Sequence, residues 1–237
     1  MNTVGKLYLI PTTLGENDPL EVLPITVKQI IEQTYTYIVE NEKTARRFIK
    51  RITPNKSQPS LNMFHLNKFT EASELPNFLV PCLKGTNIGL LSEAGCPGIA
   101  DPGADIVKLA HQKNIKVVPL VGPSSILMAM MSSGMNGQSF AFNGYLPIDK
   151  GERKKEIKRL ERLSFEHNQS QLFIETPYRN NKMLEDLCHT LDKNTEVSVA
   201  CDITLNSEFI KTQTAGAWKK NIVDLHKRPT IFIIHKT

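Results

Sequence analysis

Polar and turn-forming residues follow several short apolar segments of the chain, where predicted strands end. Residues 11–15 follow the first such segment, Glu40 follows the second, residues 92–103 the third and residues 122–125 the fourth. A further carboxylate, Glu175, ends an apolar segment in the second half. Because the carboxyl ends of parallel strands meet at one edge of a sheet, ligands of open α/β sheets bind there. These residues are therefore the first candidates for chemistry.

The third segment is the most unusual of these. Five of the nine residues from Gly95 to Gly103 are glycine or proline, a density that specifies an irregular backbone. Such a loop lets main-chain N–H and C=O groups approach a ligand closely, with the Glu93 carboxylate beside them. The alternative is a structural loop that only joins a strand to a helix. The position at a strand end favours ligand binding.

Ser124 precedes a predicted helix from about residue 126 to 133. Serine is a good N-cap residue, and the free N–H groups of a first helical turn attract a carboxylate or phosphate. A serine also caps helices without any ligand, so the strand-end position again carries the argument for a site.

The elements that position these residues alternate between strand and helix. The first half has strands at residues 7–10, 37–39, 88–91 and 117–120, with helices at 22–33, 44–51, 74–84 and 104–113. The second half has strands at residues 140–142, 171–175, 197–200, 209–212 and 230–234, helices at 151–163 and 179–191, and a turning segment from Ala215 to Asp224. We expect an α/β fold of two lobes, residues 1–121 with a mainly parallel sheet and residues 122–237 with a mixed sheet.

Composition narrows the function classes. The chain has 237 residues and a net charge of +5, which is compatible with a polyanionic partner but does not require one. No apolar segment has the roughly 18 residues of a membrane span, and the start lacks a secretory apolar core, so we expect a cytoplasmic protein with no membrane association. The four cysteines form no Cys-x-x-Cys pair, and we predict no metal.

Three common nucleotide and hydrolase motifs are missing from the sequence. There is no Gly-x-Gly-x-x-Gly after the first strand, no phosphate-binding Gly-x-x-x-x-Gly-Lys-Ser/Thr loop and no Gly-x-Ser-x-Gly elbow. These absences argue against a dinucleotide fold, a nucleoside triphosphatase and an α/β-hydrolase.

Taken together, the strand-end segments resemble the tetrapyrrole (corrin/porphyrin) methylase superfamily, and most of all its branch that methylates a cytidine ribose 2′-oxygen in small-subunit ribosomal RNA. Residues 91–103, LSEAGCPGIADPG, are similar to that branch's V-S-D-A-G-T-P-x-I-S-D-P-G. Four more segments carry the resemblance: residues 9–15 (V-P-T-P-I-G), 118–125 (V-P-L-P-G-P-S-A), 142–147 (F-x-G-F-L-P) and 173–179 (F-Y-E-S-P-H-R). The matches follow the family's order from residue 6 to about residue 180.

The chain also departs from the family pattern. Glu93 stands where the family usually has Asp. Residues 40–43, ENEK, replace E-D-T-R, and residues 200–205, ACDITL, replace A-R-E-L-T-K and lose two basic side chains. Residues 53–77 match loosely. These changes leave cofactor binding in place and bear on which acceptor is methylated.

The resemblance implies S-adenosylmethionine as cofactor, bound in the cleft between the lobes, with its carboxylate near the start of the helix after residue 125. The cofactor-binding residues that it implies are Pro11, Thr12, Glu93, Gly95, Cys96, Pro97, Ser124, Ser125, Ile126, Ile174, Ala200, Asp202, Pro229 and Thr230. Glu40 is the candidate proton acceptor. The alternative is that Glu40 is only a carboxylate at the start of the next helix. Glu175 is the second candidate, and it could instead tether the cofactor or orient Arg179.

The acceptor remains open at this stage. Six basic residues are candidates for contacts with ribosomal RNA or the small ribosomal subunit: Arg46, Arg47, Arg153, Lys154, Lys155 and Arg179. The basic residues within 151–163 could equally form the solvent-exposed face of an amphipathic helix. A tetrapyrrole-type small molecule as acceptor, or a catalytically silent RNA-binding protein, are the competing hypotheses. The resemblance also implies a homodimer.

Overall fold

The computed structural model describes residues 4–67, 69–221 and 223–237. The chain divides into two compact units, Met1–Ser124 and Ser125–Thr237. Residue 222, inside the segment predicted to turn from Ala215 to Asp224, lies outside the described residues.

The first unit contains a five-stranded parallel sheet. Its elements are β1 (Lys6–Ile10), α1 (Pro19–Val22), α2 (Ile25–Gln33), β2 (Thr36–Val39), α3 (Glu42–Ile52), β3 (Asn62–His65), α4 (Leu75–Phe78), α5 (Val80–Leu83), β4 (Ile88–Leu91), α6 (Gly103–Gln112) and β5 (Lys116–Pro119). The strand order is β3-β2-β4-β1-β5, and every pair is parallel. All five strands therefore end at one edge, so the loops after β1, β2, β4 and β5 share that edge.

The core of the first unit covers both faces of this sheet. Strands β2 and β4 are buried at every residue, as expected of central strands in a parallel sheet. Tyr37 and Ile10 belong to the cluster on one face, and Ile38 and Leu90 to the cluster on the other.

Prolines set several helix boundaries that the sequence analysis placed wrongly. The predicted helix 22–33 begins only at Ile25, because Pro24 occupies the N-cap of α2 and separates it from α1, which ends at Val22. The predicted helix 74–84 is likewise divided into α4 and α5 at Leu79, and each short helix has a proline in its first turn. Strand β3 was not predicted. It lies at the sheet edge, where Asn62 and His65 are exposed, so its sequence lacks a strong apolar pattern.

The second unit contains a five-stranded mixed sheet. Its elements are α7 (Ser125–Ser133), β6 (Phe140–Tyr145), α8 (Lys150–His167), β7 (Ser170–Ile174), α9 (Asn180–Thr190), β8 (Glu196–Cys201), β9 (Phe209–Thr214), α10 (Ala215–Trp218) and β10 (Thr230–His235). The order is β6-β7-β10-β8-β9, with β6 and β7 parallel and the other pairs antiparallel. The expected α/β fold, with a parallel sheet followed by a mixed sheet, is confirmed.

Strand β10 occupies the centre of this second sheet. It pairs with β7 on one side and with β8 on the other, and all six of its residues are buried. The long helix α8 begins after the N-cap Asp149, whose carboxylate accepts the N–H of Glu152 at 2.9 Å, and ends at Asn168 in the left-handed conformation. Its buried stripe includes Ile157 and Leu160.

In the part of the chain that the structure describes, no helix is both long and apolar enough to span a bilayer.

Candidate functional site

In the first unit, the loops after β1, β4 and β5 contact one another at the carboxyl edge of the parallel sheet. The N–H of Thr12 donates to the carbonyl of Gly95 at 3.0 Å, which joins the loops after β1 and β4. The thiol of Cys96 donates to the carbonyl of Pro123 at 3.4 Å, which joins the loops after β4 and β5. These loops carry the predicted cofactor residues of this unit: Pro11, Thr12, Glu93, Gly95, Cys96, Pro97 and Ser124.

Two glycines permit this close approach. Gly95 has φ +71°, and a Cβ there would lie 3.1 Å from Leu14 Cδ2. A Cβ on Gly122 would collide with the ring of Pro11. A side chain at either position would push the loops apart, so the contact between the loops requires glycine at both.

Asp101 fixes the backbone of the long loop after β4. Its Oδ1 accepts the N–H groups of Gly98 and Gly103, each at 2.8 Å. Asp101 is not one of the site residues predicted from the sequence. An Asp-Pro-Gly sequence directly before a helix is typical of an aspartate that bonds to its own turn, and that pattern could have identified it.

Glu40 is half-buried at the end of β2, near two other carboxylates. Burial raises the pKa of Glu40, and the charges of Asp101 and Glu93 add to this effect, while a hydrogen bond from the Glu93 backbone N–H opposes it. The alternative role at the start of α3 belongs to Asn41, whose side chain accepts the N–H of Lys43 at 2.9 Å. Glu40 therefore does not cap α3.

Glu93 and Thr12 also line a pocket of about 170 Å³ in this unit. The hydroxyl of Thr44, at the start of α3, donates to Glu93 Oε1 at 2.7 Å inside it. Arg47 and Arg51 line its outer part, where the Glu16 carboxylate lies 3.8 Å and 3.1 Å from them, respectively. This volume is below the roughly 300 Å³ at which ligand pockets begin, so the pocket can take only part of a nucleoside cofactor.

In the second unit, strand register brings together most of the predicted cofactor residues. Ile174 at the end of β7 pairs with Ile231, and Thr230 at the start of β10 pairs with Cys201 at the end of β8. The N–H of Asp202 donates to the carbonyl of Pro229 at 2.9 Å. Ile174, Ala200, Asp202, Pro229 and Thr230 thus lie at one end of the mixed sheet. Ser125 and Ile126 lie in the first turn of α7.

Arg228 holds the Asp202 side chain. Its Nε donates to Asp202 Oδ2 at 2.7 Å, and the hydroxyl of Ser207 donates to the same oxygen at 2.9 Å. Asp202 has φ +51°, a left-handed conformation that aspartate tolerates better than most residues. These bonds fix the turn that follows β8.

Glu175 is buried, and Arg179 covers it. The Arg179 guanidinium donates to Glu175 Oε1 at 2.6 Å, and the N–H of Thr176 donates to the same oxygen at 2.6 Å. This geometry corresponds to the role in which Glu175 orients Arg179. It leaves Glu40 as the stronger candidate for a proton acceptor.

The basic residues of α8 do not share one environment. Arg153 is 7% exposed, and its Nη2 lies 2.6 Å from Asp186 Oδ2 of α9, while its Nη1 donates to the carbonyl of Ile148 at 2.6 Å. It is therefore a buried structural residue rather than a surface contact for RNA. Lys154 and Lys155 are exposed, and among the described residues neither has a carboxylate oxygen within 4 Å.

An open groove of about 700 Å³ runs along α8 and α9. We call it the α8 groove, and its lining residues are Lys154, Lys155, Lys158, Arg159, Arg162, His189 and Thr190. Lys158 pairs with Glu161 at 2.8 Å, and Arg159 pairs with Glu156 at 2.6 Å. The unpaired positive charge of the groove therefore comes chiefly from Lys154 and Lys155.

The two arginines predicted on α3 also differ. Arg46 is half-buried, pairs with Glu42 at 2.6 Å and donates to the carbonyl of Gln58, so its guanidinium holds the following loop. Arg47 is exposed. Within residues 4–67, 69–221 and 223–237, no group of three or more His, Cys, Asp or Glu side chains is arranged to hold a metal ion.

Comparisons with known proteins agree with this arrangement of loops. The chain is 27% identical over 99% of its length to ribosomal RNA small subunit methyltransferase I of Buchnera aphidicola subsp. Schizaphis graminum (strain Sg), of which the match covers 79%. It is 30% identical over 88% of its length to the protein of that name from Bacillus subtilis (strain 168), of which the match covers 67%.

Solved structures show the same fold at low sequence identity. The methyltransferase CobJ aligns with a TM-score of 0.65 at 13% identity, covering 98% of this chain and 95% of that one. Uroporphyrin-III C-methyl transferase from Thermus thermophilus, complexed with S-adenosylhomocysteine, aligns with a TM-score of 0.54 at 13% identity, covering 98% of both chains.

A family model gives the assignment. The model of the Tetrapyrrole (Corrin/Porphyrin) Methylases matches residues 20–218, which include most of both sheets and the loops after β2, β4, β5, β7 and β8. The expected enzyme class, a methyltransferase, is thereby confirmed. Because this match extends over most of the chain, from residue 20 to residue 218, the chain belongs to the tetrapyrrole (corrin/porphyrin) methylases.

Proposed function

We propose that this chain is an S-adenosylmethionine-dependent methyltransferase that modifies a ribose 2′-hydroxyl of small-subunit ribosomal RNA. The relatives that match nearly the whole chain carry the name of a small-subunit ribosomal RNA methyltransferase. The observation that carries the proposal is the contact of three strand-end loops around Thr12, Gly95 and Cys96, because main-chain groups brought this close form a site for a small ligand.

The charges around these loops suit a cationic ligand. Glu40, Glu93 and Asp101 lie near one another at the strand ends, and their negative potential stabilises a positively charged group. When bound, S-adenosylmethionine supplies an electrophilic methyl group on a sulfonium ion. The solved relative that holds S-adenosylhomocysteine supports this choice of cofactor.

Positioning is the main contribution that we assign to the protein. Loops that are already fixed by hydrogen bonds can hold the methyl donor and the acceptor hydroxyl in line without a further loss of conformational entropy. Such orientation lowers the activation barrier by about 7–11 kcal/mol. Asp101 contributes through its two bonds to the loop backbone, since they keep the Gly98 to Gly103 turn in place.

Glu40 is the residue that we assign to proton transfer. A ribose hydroxyl is a weak nucleophile, and a carboxylate that accepts its proton accelerates attack by about 10²–10⁴-fold. Burial and the neighbouring carboxylates raise the pKa of Glu40, and this makes it a better base than an exposed glutamate. Glu175 is occupied by Arg179, so its contribution is to orient that arginine.

Methyl transfer to small ribosomal subunits tests the proposal directly. The protein is incubated with these subunits and S-adenosylmethionine labelled in its methyl group, and the modified nucleotide is mapped. We expect label at one ribose. No label in RNA together with turnover of a uroporphyrinogen or precorrin would replace RNA by a tetrapyrrole as the acceptor.

The cofactor assignment predicts the effect of a bulky side chain at the start of α7. Ser125→Trp should abolish S-adenosylmethionine binding measured by calorimetry, because the indole would fill the space at the first helical turn. Ser132→Trp, on the exposed side of the same helix, is the matched control and should bind normally. Equal affinity of the two variants would mean that the cofactor does not reach α7.

The α8 groove predicts a change in salt dependence. Replacing both Lys154 and Lys155 by alanine should weaken RNA binding and lower the slope of log K against log salt by about 1.4, the value for two contacts to a single strand. Lys219→Ala with Lys220→Ala removes the same charge from another exposed pair and should leave the slope unchanged. The groove is not an RNA surface if both double variants show the same slope.

A homodimer stays a prediction from the resemblance, and a cytoplasmic location stays a prediction from the apolar pattern of the sequence. Light scattering of the purified protein and fractionation of cells that express it are the measurements for these two properties.

A further inference from the structure

An exposed tyrosine stands at the end of the mixed sheet that carries the predicted cofactor residues. Tyr178 follows β7 by four residues, immediately before Arg179, and is 69% exposed. A second tyrosine, Tyr145, pairs with Ile174 at the same end of the sheet and is 62% exposed. Singly exposed apolar residues are ordinary on protein surfaces. The surroundings of Tyr178 are what distinguish it.

A lysine and a histidine lie beside the Tyr178 ring. Lys227 Nζ lies 6.0 Å from the ring centroid, and the His226 ring meets the tyrosine edge-on at a centroid distance of 5.9 Å. Arg179 follows in sequence and is partly exposed, and Glu175 pairs with only one side of its guanidinium. We call Tyr178, Arg179, His226 and Lys227 the tyrosine surface.

Hydrogen bonds hold the two segments of the tyrosine surface together. The N–H of Lys227 donates to the carbonyl of Pro177 at 3.0 Å, and the side-chain amide of Asn180 donates to the carbonyl of Arg228 at 2.6 Å. Asn181 donates to Asp224 at 2.8 Å and accepts the N–H of Leu225 at 2.6 Å. The two backbone segments that carry Tyr178 and Lys227 are therefore held together before any ligand binds, so binding does not have to order these segments.

Two carboxylates lie near this surface, and both accept hydrogen bonds from the protein. Glu175 is buried beneath Arg179, and Asp224 Oδ1 accepts both the Asn181 amide and the N–H of His226. Because Glu175 pairs with Arg179, the unpaired cation beside the Tyr178 ring is Lys227, and the partly exposed Arg179 guanidinium adds further donors. A flat aromatic face with adjacent positive charges is the combination that binds single-stranded nucleic acid, because bases stack on the ring while phosphates contact the cations.

We propose that the tyrosine surface binds single-stranded RNA, with a base stacked on Tyr178 and the adjoining phosphates contacting Lys227 and Arg179. This inference rests on the proposed function and adds a surface that holds an unpaired nucleotide of the RNA substrate. Single-stranded rather than duplex RNA fits the surface, because the bases of a duplex stack on one another and cannot cover an exposed ring.

The test measures binding of the full-length chain to a fluorescein-labelled oligoadenylate by anisotropy. Tyr178→Ala should weaken binding by about 5- to 150-fold, the range for the loss of one stacked base, whereas Tyr178→Phe keeps the ring and should bind as the unmodified protein does. Lys227→Ala should lower the salt slope by about 0.7. The same strand annealed to oligouridylate should respond less to Tyr178→Ala.

Tyr35 provides a matched control for these substitutions. It is also half-exposed, with Lys56 Nζ 3.6 Å from its ring centroid, but it belongs to the first unit, at the start of β2. Tyr35→Ala should leave oligoadenylate affinity unchanged. Equal affinity of Tyr178→Ala and Tyr35→Ala overturns the inference, as does equal loss on single strand and duplex.

Two further measurements separate this inference from the proposed function. If Tyr178→Ala loses S-adenosylmethionine affinity in calorimetry, the ring belongs to the cofactor site and the inference is wrong. If Tyr178→Ala weakens RNA binding but the unmodified protein labels no ribosomal RNA, the proposed function fails and the RNA surface stands. If the unmodified protein and Tyr178→Ala label ribosomal RNA equally and bind RNA with the same affinity, only the inference fails.

Discussion

Glu40→Gln is expected to lower the rate of methyl transfer to small ribosomal subunits by about 10²–10⁴-fold, with little change in S-adenosylmethionine affinity. Glutamine keeps the shape of the side chain but accepts no proton at neutral pH, so the loss isolates the base. Single-turnover rates with labelled cofactor give the chemical step, and calorimetry gives the cofactor affinity.

The pH dependence of the unmodified enzyme should follow the titration of Glu40. A base acts in its deprotonated form, which is present above its pKa and lost as pH falls through it. Because burial and the nearby Asp101 and Glu93 raise the pKa of Glu40, the acid limb of the rate profile should lie above the usual range of a glutamate. In the Glu40→Gln variant this limb should disappear.

Glu42 is the control for this experiment. It lies two residues later and is partly exposed, and its hydrogen bond with Arg46 lowers its pKa, so it is a poor base. Glu42→Gln should retain transfer activity and the acid limb. If Glu40→Gln is as active as Glu42→Gln, the proton goes elsewhere, and Glu175 becomes the next residue to replace.

Arg153→Met should destabilise the protein by about 3–5 kcal/mol. The substitution leaves the buried Asp186 carboxylate with Lys182, 3.6 Å away, as its remaining cation, and an uncompensated buried charge is costly. It also removes the donors to the carbonyls of Pro147 and Ile148. Denaturant unfolding, followed by circular dichroism, measures the change.

Two variants show whether burial is the cause. Arg162→Met breaks an exposed pair with Glu166, 3.8 Å apart on the same helix, and should change the free energy of unfolding by less than about 1 kcal/mol. Arg153→Met combined with Asp186→Leu removes both charges and should recover much of the loss. Equal destabilisation by Arg153→Met and Arg162→Met would contradict a structural role for Arg153.

The strand-end loops could be predicted because their chemistry is local. A carboxylate, a cluster of glycine and proline, and a serine before a helix are all visible in a few consecutive residues, and the parallel sheet then brings their ends together. The contact between Thr12 and Gly95 follows from that register, since β1 and β4 are neighbours in the sheet.

Interactions between distant residues could not be predicted in the same way. Arg153 looks like any other basic residue of α8, and only the fold brings Asp186 of α9, 33 positions later, against it. The interaction of Glu175 with Arg179 joins residues only four positions apart, and it was among the predicted alternatives. Tyr178 has no distinctive sequence neighbourhood, because Lys227 reaches it from a segment almost fifty positions away.

The central place of β10 in the second sheet has a consequence for biosynthesis. Until residues 230–235 leave the ribosome, β7 and β8 each present an open edge of unpaired N–H and C=O groups. The second unit therefore cannot complete its core before these residues emerge, and a nascent chain stalled before Thr230 would offer two unpaired strand edges to neighbouring polypeptides or to a chaperone.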